Sequence, residues 1–421
     1  NGKGEKMKTA ILTVGTEILF GQIVNTNAAF LSQQLNNLGY DVMYHYTVGD
    51  NPGRLAELIH LAFRDCDLIL TTGGLGPTQD DLTKETIAKA MGDVVVENPA
   101  CMKYLKENYE RAGRKMTPNN LKQAYMPSRA TVLPNDAGTA PGFALEQDGK
   151  IIIAMPGPPR EMQRMFELQV KPLLQKKQDS VIYYRMLRMF GIGESSLETV
   201  LLPLIDGQTD PTLATYAKEG ECSLRIASKR ATEEEARAAV DEMTEKVRSL
   251  VGDYIYSYDD EDLIDVVGRL LLEKKITIAC AESCTGGLFA GALTDTSGIS
   301  EVFGHGYVTY SCEAKETELG VKPETIETYG VVSPQVAEEM AAGLAAKTGA
   351  KLCISVTGLA GPDGGSAEKP VGLAYIGVSY EGRLYAVKSY YRNVSRKWNR
   401  HYTLLRMLFE VYRLISPENH A

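Results

Sequence analysis

Three side chains that together could carry out nucleophilic catalysis follow predicted strands in the last third of the chain. Ser283 stands between a strand-like run and a helix that begins behind two glycines, so its hydroxyl is predicted to lie at the carboxyl edge of a sheet. Lys315 follows the next predicted strand, and Thr357 follows a third. A lysine that is desolvated in such a crevice can lose its proton near neutral pH and serve as the base for a serine.

The spacing of these three residues alone leaves other interpretations open. Neither His305, which precedes a strand, nor His401, in the last predicted helix, has an obvious claim to act on Ser283. Backbone N–H groups of the helix after Ser283 could bind an oxyanion, and Thr357 could relay a proton or donate to it. Small residues at strand ends are often simple turn formers, however, and an isolated lysine such as Lys315 is more often solvated.

A second set of residues follows predicted strands in the first half of the chain. Glycines in the runs 73–76 and 156–158 would let the backbone approach phosphate groups, and the paired carboxylates Asp80 and Asp81 could hold a divalent cation that bridges them. Ligands of open α/β sheets bind at this edge. The glycines could equally form ordinary turns, with the two aspartates as charge at a helix N-terminus.

The composition limits the classes of function. The chain has 421 residues, a formal net charge of −9 and no visible basic patch, which argues against direct binding to nucleic acid. Its seven cysteines form no Cys-x-x-Cys pair and its five histidines are scattered, so we predict reduced thiols in a cytoplasmic protein without a zinc site. No apolar run approaches the roughly 18 residues of a membrane span, so no membrane association is expected.

The hydrophobic periodicity predicts two α/β domains and a smaller module between them. Strands alternate with helices over 8–170 and again over 263–421, which is typical of mostly parallel, doubly wound sheets. Residues 171–256 are predicted to form a small α+β module, and 257–262 an acidic linker. Residues 1–7 are interpreted as a leader.

Three runs in the C-terminal domain resemble a known family. The runs 281–287 (AESCTGG), 308–315 (VTYSCEAK) and 356–362 (VTGLAGP) resemble the nicotinamide-nucleotide amidohydrolase domain of the competence/damage-inducible protein CinA family. The resemblance implies that Ser283 is the nucleophile and Lys315 the base in the conversion of nicotinamide mononucleotide to nicotinic acid mononucleotide and ammonia, without a metal.

The same resemblance assigns supporting residues. It implies that Tyr310 and Thr357 assist the reaction, and that glycines and one arginine of the closing helix bind the substrate. The substrate-binding candidates are Gly286, Gly287, Gly358, Gly361, Arg396 and Arg400. Cys312 departs from the family pattern, which usually has asparagine there.

Four N-terminal runs, 14–17, 25–27, 71–81 and 155–161, resemble the molybdopterin-binding-like domain of the same family, which is akin to MoaB and MogA proteins. This resemblance implies hydrolysis of ADP-ribose to AMP and ribose 5-phosphate, dependent on Mg, Mn or Co. It places Asp80, Asp81 and Glu17 near the metal. The candidates for binding the nucleotide are Gly73, Gly74, Asn25, Asn27, Gly157 and Pro158.

The middle module resembles the KH-like insert of the family. It shows Gly191-Ile192-Gly193 rather than the Gly-x-x-Gly loop with which KH domains bind RNA, so we interpret it as a spacer or dimerisation element. A homodimer is expected. The competing hypotheses are a molybdopterin-binding or adenylating protein, and a non-catalytic accessory protein in competence or DNA damage.

Overall fold

The computed structural model describes residues 7–111, 113, 115–177, 181–391 and 395–416. Of the predicted leader, only Met7 is among the described residues. The chain divides into two compact units, Asn1–Tyr183 with Ser228–Ala238, and Tyr184–Ala227 with Ala239–Ala421. None of the described helices is long and apolar enough to cross a lipid bilayer.

The first unit is built on one six-stranded sheet, in which four adjacent strands run parallel. Its strands are β1 Lys8–Val14, β2 Asp41–Val48, β3 Leu68–Thr72, β4 Val95–Glu97, β5 Tyr125–Pro127, β6 Thr131–Leu133, β7 Gly142–Gln147 and β8 Lys150–Met155. The sheet order is β2-β1-β3-β8-β7-β6, with β8, β7 and β6 antiparallel, while β4 and β5 form a separate pair.

The central strands of the first sheet are buried on both faces because helices cover both sides of it. Ile11 and Leu12, which are neighbours on β1, are both fully buried and belong to different apolar clusters. The helices are α1 Thr16–Leu19, α2 Thr26–Asn37, α3 Pro52–Asp65, α4 Thr83–Ala90, α5 Pro99–Arg111, α6 Pro159–Met165 and α7 Lys171–Gln175, with a π turn over Phe166–Val170. Asn51 caps α3 through its side chain, with Pro52 at the first position.

The second unit contains the small module and the C-terminal α/β domain. The module has strands β9 Val181–Phe190, β10 Thr212–Lys218, β11 Glu221–Arg230 and β12 Ile255–Ser257, in the order β10-β11-β9-β12, with helices α8 Glu194–Ile205 and α9 Glu233–Val251. The predicted linker 257–262 is therefore wrong at its start, because Ser257 is buried in β12 and pairs with β9.

The C-terminal domain is a five-stranded sheet in the order β14-β13-β15-β16-β17. Its strands are β13 Ile278–Glu282, β14 Phe303–Val308, β15 Leu352–Gly358, β16 Leu373–Tyr380 and β17 Arg383–Tyr390. Its helices are α10 Leu263–Lys274, α11 Leu288–Thr294, α12 Cys312–Leu319, α13 Pro323–Tyr329, α14 Pro334–Thr348 and α15 Arg396–Ile415. Strands β14, β13 and β15 are parallel, whereas β16 and β17 form an antiparallel hairpin around Glu381-Gly382.

The fold class is confirmed as two doubly wound α/β domains with a small α+β module between them. Strands β4, β5, β6 and β7 were not predicted from the sequence. Strands β4, β5 and β6 are only three residues long, which is too short for a periodicity signal.

The position of α12 depends on a close contact with α14. A Cβ atom added to Gly343 of α14 would lie 1.7 Å from the carbonyl oxygen of Leu319 at the end of α12. We expect Gly343→Ala to lower the free energy of unfolding by about 1–3 kcal/mol through overpacking. Gly291→Ala in α11 is the matched control, because its Cβ would meet nothing within 4 Å. Urea unfolding midpoints measure both; equal midpoints would contradict the expectation.

Candidate active site

Parallel pairing brings three strand ends together at the carboxyl edge of the C-terminal sheet. Glu282, the last residue of β13, pairs with Val308 of β14 on one side and Val356 of β15 on the other. The N–H of Ser283 donates to the carbonyl of Val356 at 3.2 Å, and the N–H of Thr309 donates to the carbonyl of Glu282 at 2.8 Å. The loops after β13, β14 and β15 therefore start side by side.

Ser283 and Lys315 meet at this edge. The Nζ atom of Lys315 lies 3.1 Å from the Oγ atom of Ser283. Lys315 is fully buried, and Ser283 is 8% exposed. Lys315 reaches Ser283 because α12 begins directly after β14, where the side chain of Ser311 caps the helix by accepting from the N–H of Ala314.

The remaining partners of the Lys315 amine are backbone carbonyls. Nζ donates to the oxygen of Thr309 at 2.8 Å, with those of Tyr310 and Ser311 at 3.3 and 3.4 Å. A neutral amine has two N–H donors and one lone pair. Two donors directed at carbonyls leave the lone pair for the hydroxyl proton of Ser283, which is the arrangement that a general base requires.

Burial favours this neutral form. Desolvation lowers the pKa of Lys315 from its ordinary value of 10.5, partly offset by the nearby thiols of Cys312 and Cys284. The lowered pKa increases the fraction of amine that can accept a proton at a given pH.

Two arginines of α15 lie at the same edge of the sheet. Arg396 donates to the hydroxyl of Tyr310 and to the carbonyl of Gly361, each at 2.8 Å. Arg400 donates to the carbonyls of Cys284 at 3.1 Å and Thr285 at 2.6 Å, directly after Ser283. Arg396 therefore joins the tyrosine to the glycine-containing loop, whereas Arg400 holds the loop that carries Ser283.

The glycines and Thr357 occupy defined positions around these groups. Gly286 and Gly287 have φ angles of 60° and 96°, in the region that favours glycine, and Gly287 precedes α11. Gly358 ends β15. The hydroxyl of Thr357 donates to the carbonyl of Val331 at 2.8 Å. Thr357 is thus beside Ser283 along the sheet edge, but its hydroxyl is directed at the backbone rather than at Ser283 or Lys315.

The sequence analysis missed Glu282, which is fully buried. Its carboxylate accepts from the N–H groups of Gly287, Phe289 and Ala290 at 3.0, 3.1 and 2.9 Å. The expectation that the N-terminal N–H groups of α11 serve an oxyanion is therefore wrong for these three. The available signal was a carboxylate directly before the nucleophile and close to a helix N-terminus.

In the first unit, most of the predicted nucleotide-binding residues line two neighbouring cavities. Glu17, Gly73, Gly74, Asp81, Gly157 and Pro158 line a cavity of about 370 Å³ at the carboxyl ends of β1, β3 and β8. Asn25 and Asn27 line a smaller one of about 60 Å³, which shares Glu17 and Gly157 with the first. The sequence analysis missed two further carboxylates of the larger cavity, Asp50 and Glu161.

The predicted metal set is brought together only in part: Glu17 and Asp81 line the same cavity, whereas Asp80 does not. Asp80 is exposed and lines neither cavity. One oxygen of Asp81 accepts from the N–H and hydroxyl of Thr78 at 2.8 and 2.6 Å. Within the described ranges, no three His, Cys, Asp or Glu side chains are grouped so that they could hold a metal ion. Asp80 does not join Asp81 in the cavity lining, because consecutive residues of this turn direct their side chains differently.

The architecture defines a three-part α/β protein with a buried serine–lysine pair in its last domain. Residues 10–176 match a family described as probable molybdopterin binding domain, 184–257 the damage-inducible protein CinA KH domain, and 260–415 the CinA C-terminal domain. The chain belongs to the CinA family of competence-damage inducible proteins.

Relatives match nearly the whole chain. A protein of Clostridium kluyveri that carries the name competence-damage inducible protein is 49% identical over 90% of this chain and 92% of its own length. One of Acetivibrio thermocellus is 48% identical over 89% of this chain and 91% of its own. The crystal structure of a CinA protein of unknown function from Thermoplasma acidophilum is 36% identical, covers 40% of this chain and 98% of its own, and has a TM-score of 0.38.

Glu282 gives a test of how the nucleophile loop is held. We expect Glu282→Gln to destabilise the protein by about 1–3 kcal/mol, because an amide group adds N–H donors where three backbone N–H groups need an acceptor. Labelling of Ser283 by a fluorophosphonate should slow as well. Glu313→Gln, at an exposed position of α12, is the matched control. Wild-type stability and labelling in Glu282→Gln would refute this role.

Proposed function

We propose that the C-terminal domain hydrolyses the amide of nicotinamide mononucleotide, with Ser283 as nucleophile and Lys315 as base. The observation that supports this most is the 3.1 Å contact between a buried serine hydroxyl and a buried amine whose other partners are carbonyls. Serine–lysine pairs are an established variant of nucleophilic hydrolysis. The resemblance to the amidohydrolase domain supplies the substrate.

In the first half of the reaction, Ser283 Oγ attacks the amide carbon while Lys315 Nζ takes the hydroxyl proton. The tetrahedral intermediate collapses when Lys315 returns that proton to the amide nitrogen, which leaves as ammonia. Ser283 then carries a nicotinoyl ester. In the second half, Lys315 takes a proton from water, the hydroxide attacks the ester, and the proton returns to Ser283 Oγ as the acid product is released.

Of the two arginines, we assign Arg396 to the phosphate of the substrate. Arg396 is exposed at the start of α15 and contacts Tyr310, so it can meet a ligand from solvent. Arg400 is half-buried, and its donors already hold the carbonyls of Cys284 and Thr285. Arg400 is therefore a positioning residue for the nucleophile loop.

The proposed role of the Lys315 amine predicts how the activity depends on pH and how it responds to substitution of Lys315. Ammonia release from nicotinamide mononucleotide should rise with pH through the lowered pKa of Lys315 and level off above it, because only the neutral amine accepts a proton. We expect Lys315→Met to lower kcat by about 10²- to 10⁴-fold and Ser283→Ala to abolish the acyl-enzyme. Lys322→Met, at an exposed position, is the matched control.

These assays are run with a chelator present. Retained ammonia release in Ser283→Ala or Lys315→Met would exclude the assigned roles, and no release by the wild type would favour a non-catalytic accessory protein.

We propose a second activity for the first unit, the hydrolysis of ADP-ribose to AMP and ribose 5-phosphate. Four carboxylates, Glu17, Asp50, Asp81 and Glu161, line the cavity beside the glycine loops. A pyrophosphate would be repelled there unless a cation neutralised it. A cation held by Asp81 and Glu17, which line this cavity, would be shared with the substrate phosphates. Such a cation would polarise a phosphoryl oxygen.

Asp80 and Asp81 provide a matched pair for this second activity. AMP formation from ADP-ribose should require added Mg²⁺, Mn²⁺ or Co²⁺, and Asp81→Asn should lower it by about 10²-fold or more. Asp80→Asn should have a smaller effect, because Asp80 lies outside the cavity lining. Equal losses in the two variants, or hydrolysis without metal, would contradict the assignment.

A further inference from the structure

The small module and the C-terminal domain share one apolar core within the second unit. Phe190 of β9 packs against the rings of Tyr402 and Phe409 of α15, with centroids 5.4 and 5.2 Å apart. The hydroxyl of Tyr412 donates to the carbonyl of Ile255 in β12 at 3.2 Å. A cavity between these two parts therefore has walls fixed by packed side chains.

Such a cavity, of about 300 Å³, lies beside this shared core. The C-terminal domain contributes Tyr391 and Tyr402, whose ring centroids are 4.5 Å apart, and Trp398 packs against both, at 4.2 and 5.3 Å. The module contributes backbone of the glycine-containing segments 191–193 and 220–222. A planar ring can pack between this aromatic wall and the glycine-containing segments, where the glycines have no side chains.

The charged groups of this cavity are predominantly acidic. Glu194 and Glu221 line it together with Lys218, and Lys218 lies 4.0 Å from Asp262, which offsets its charge. After burial, these two glutamates are the main causes that raise the pKa of the adjacent Cys222 thiol. Aromatic faces and carboxylates both attract cations.

We propose that this cavity binds a planar cationic heteroaromatic ring of the pyridinium type, in contact with the aromatic wall of Tyr402 and Tyr391 and with its charge near Glu194. The site is separate from the Ser283–Lys315 pair and does not depend on the proposed deamidation. Both sites use α15, since Arg396 and Arg400 belong to the catalytic edge whereas Trp398 and Tyr402 belong to the aromatic cluster.

Trp398 is the only tryptophan of the chain and reports on this cavity. The full chain with Ser283→Ala, which prevents turnover, is titrated with 1-methylnicotinamide, a pyridinium cation, and with neutral nicotinamide. We expect saturable quenching of the fluorescence by the cation and about three- to thirtyfold weaker binding of the neutral ring. An unchanged fluorescence lifetime separates binding from collisional quenching.

Two matched pairs of variants locate the bound cation. Glu194→Lys should weaken binding several-fold, whereas Glu198→Lys, one turn further along α8 and exposed, should not. Tyr402→Leu should abolish saturable quenching, whereas Tyr402→Phe, which keeps the ring, should retain it.

Linear quenching that is equal for the two probes would overturn the proposal. Binding that is lost in Arg396→Ala but unaffected by Glu194→Lys would also overturn it, because the cation would then occupy the catalytic edge. In either case ammonia release by the wild type would be unaffected, so the two proposals fail separately.

Discussion

The C-terminal domain depends on the burial of one amine without a charged partner. Lys315 is fully buried, and its amine is surrounded by three carbonyls and a serine hydroxyl. Burial of an ammonium ion is costly, so desolvation shifts the equilibrium towards the amine. The carbonyls limit this shift, because they also accept from the protonated form. The amine therefore remains hydrogen-bonded in both protonation states and need not move between them.

The loop that carries Ser283 is held from two directions by opposite charges. Glu282 accepts three N–H groups at the start of α11, and Arg400 donates to two carbonyls just after Ser283. A short loop cannot satisfy its own backbone groups, and buried groups without partners would cost about 1–3 kcal/mol each. The charged side chains therefore stabilise a turn in which Gly286 and Gly287 adopt positive φ angles. The position of Ser283 is therefore set by the charged side chains that hold the backbone around it.

The sequence predicted the strand ends well and the partners of individual side chains poorly. Strand-prone runs located β13, β14 and β15, and parallel pairing then required Ser283 and the loop before Lys315 to adjoin. Glu282 was missed because its partners are backbone groups five to eight residues ahead. The partner of Thr357 lies in the loop after α13, at Val331. Periodicity specifies which face a residue occupies; it does not specify which atom a hydroxyl meets.

The two candidate sites treat phosphate-bearing ligands in opposite ways. The edge with Ser283 offers the guanidinium of Arg396, so an anion can bind there without a metal. The cavity of the first unit is lined by four carboxylates and glycine backbone, so under the proposed function a bound pyrophosphate would need a cation to offset its charge. The charges that line each site, rather than the reaction class, would then set its metal dependence. The two proposed activities would have separable cation requirements, even though both sites lie at the carboxyl edge of a parallel sheet.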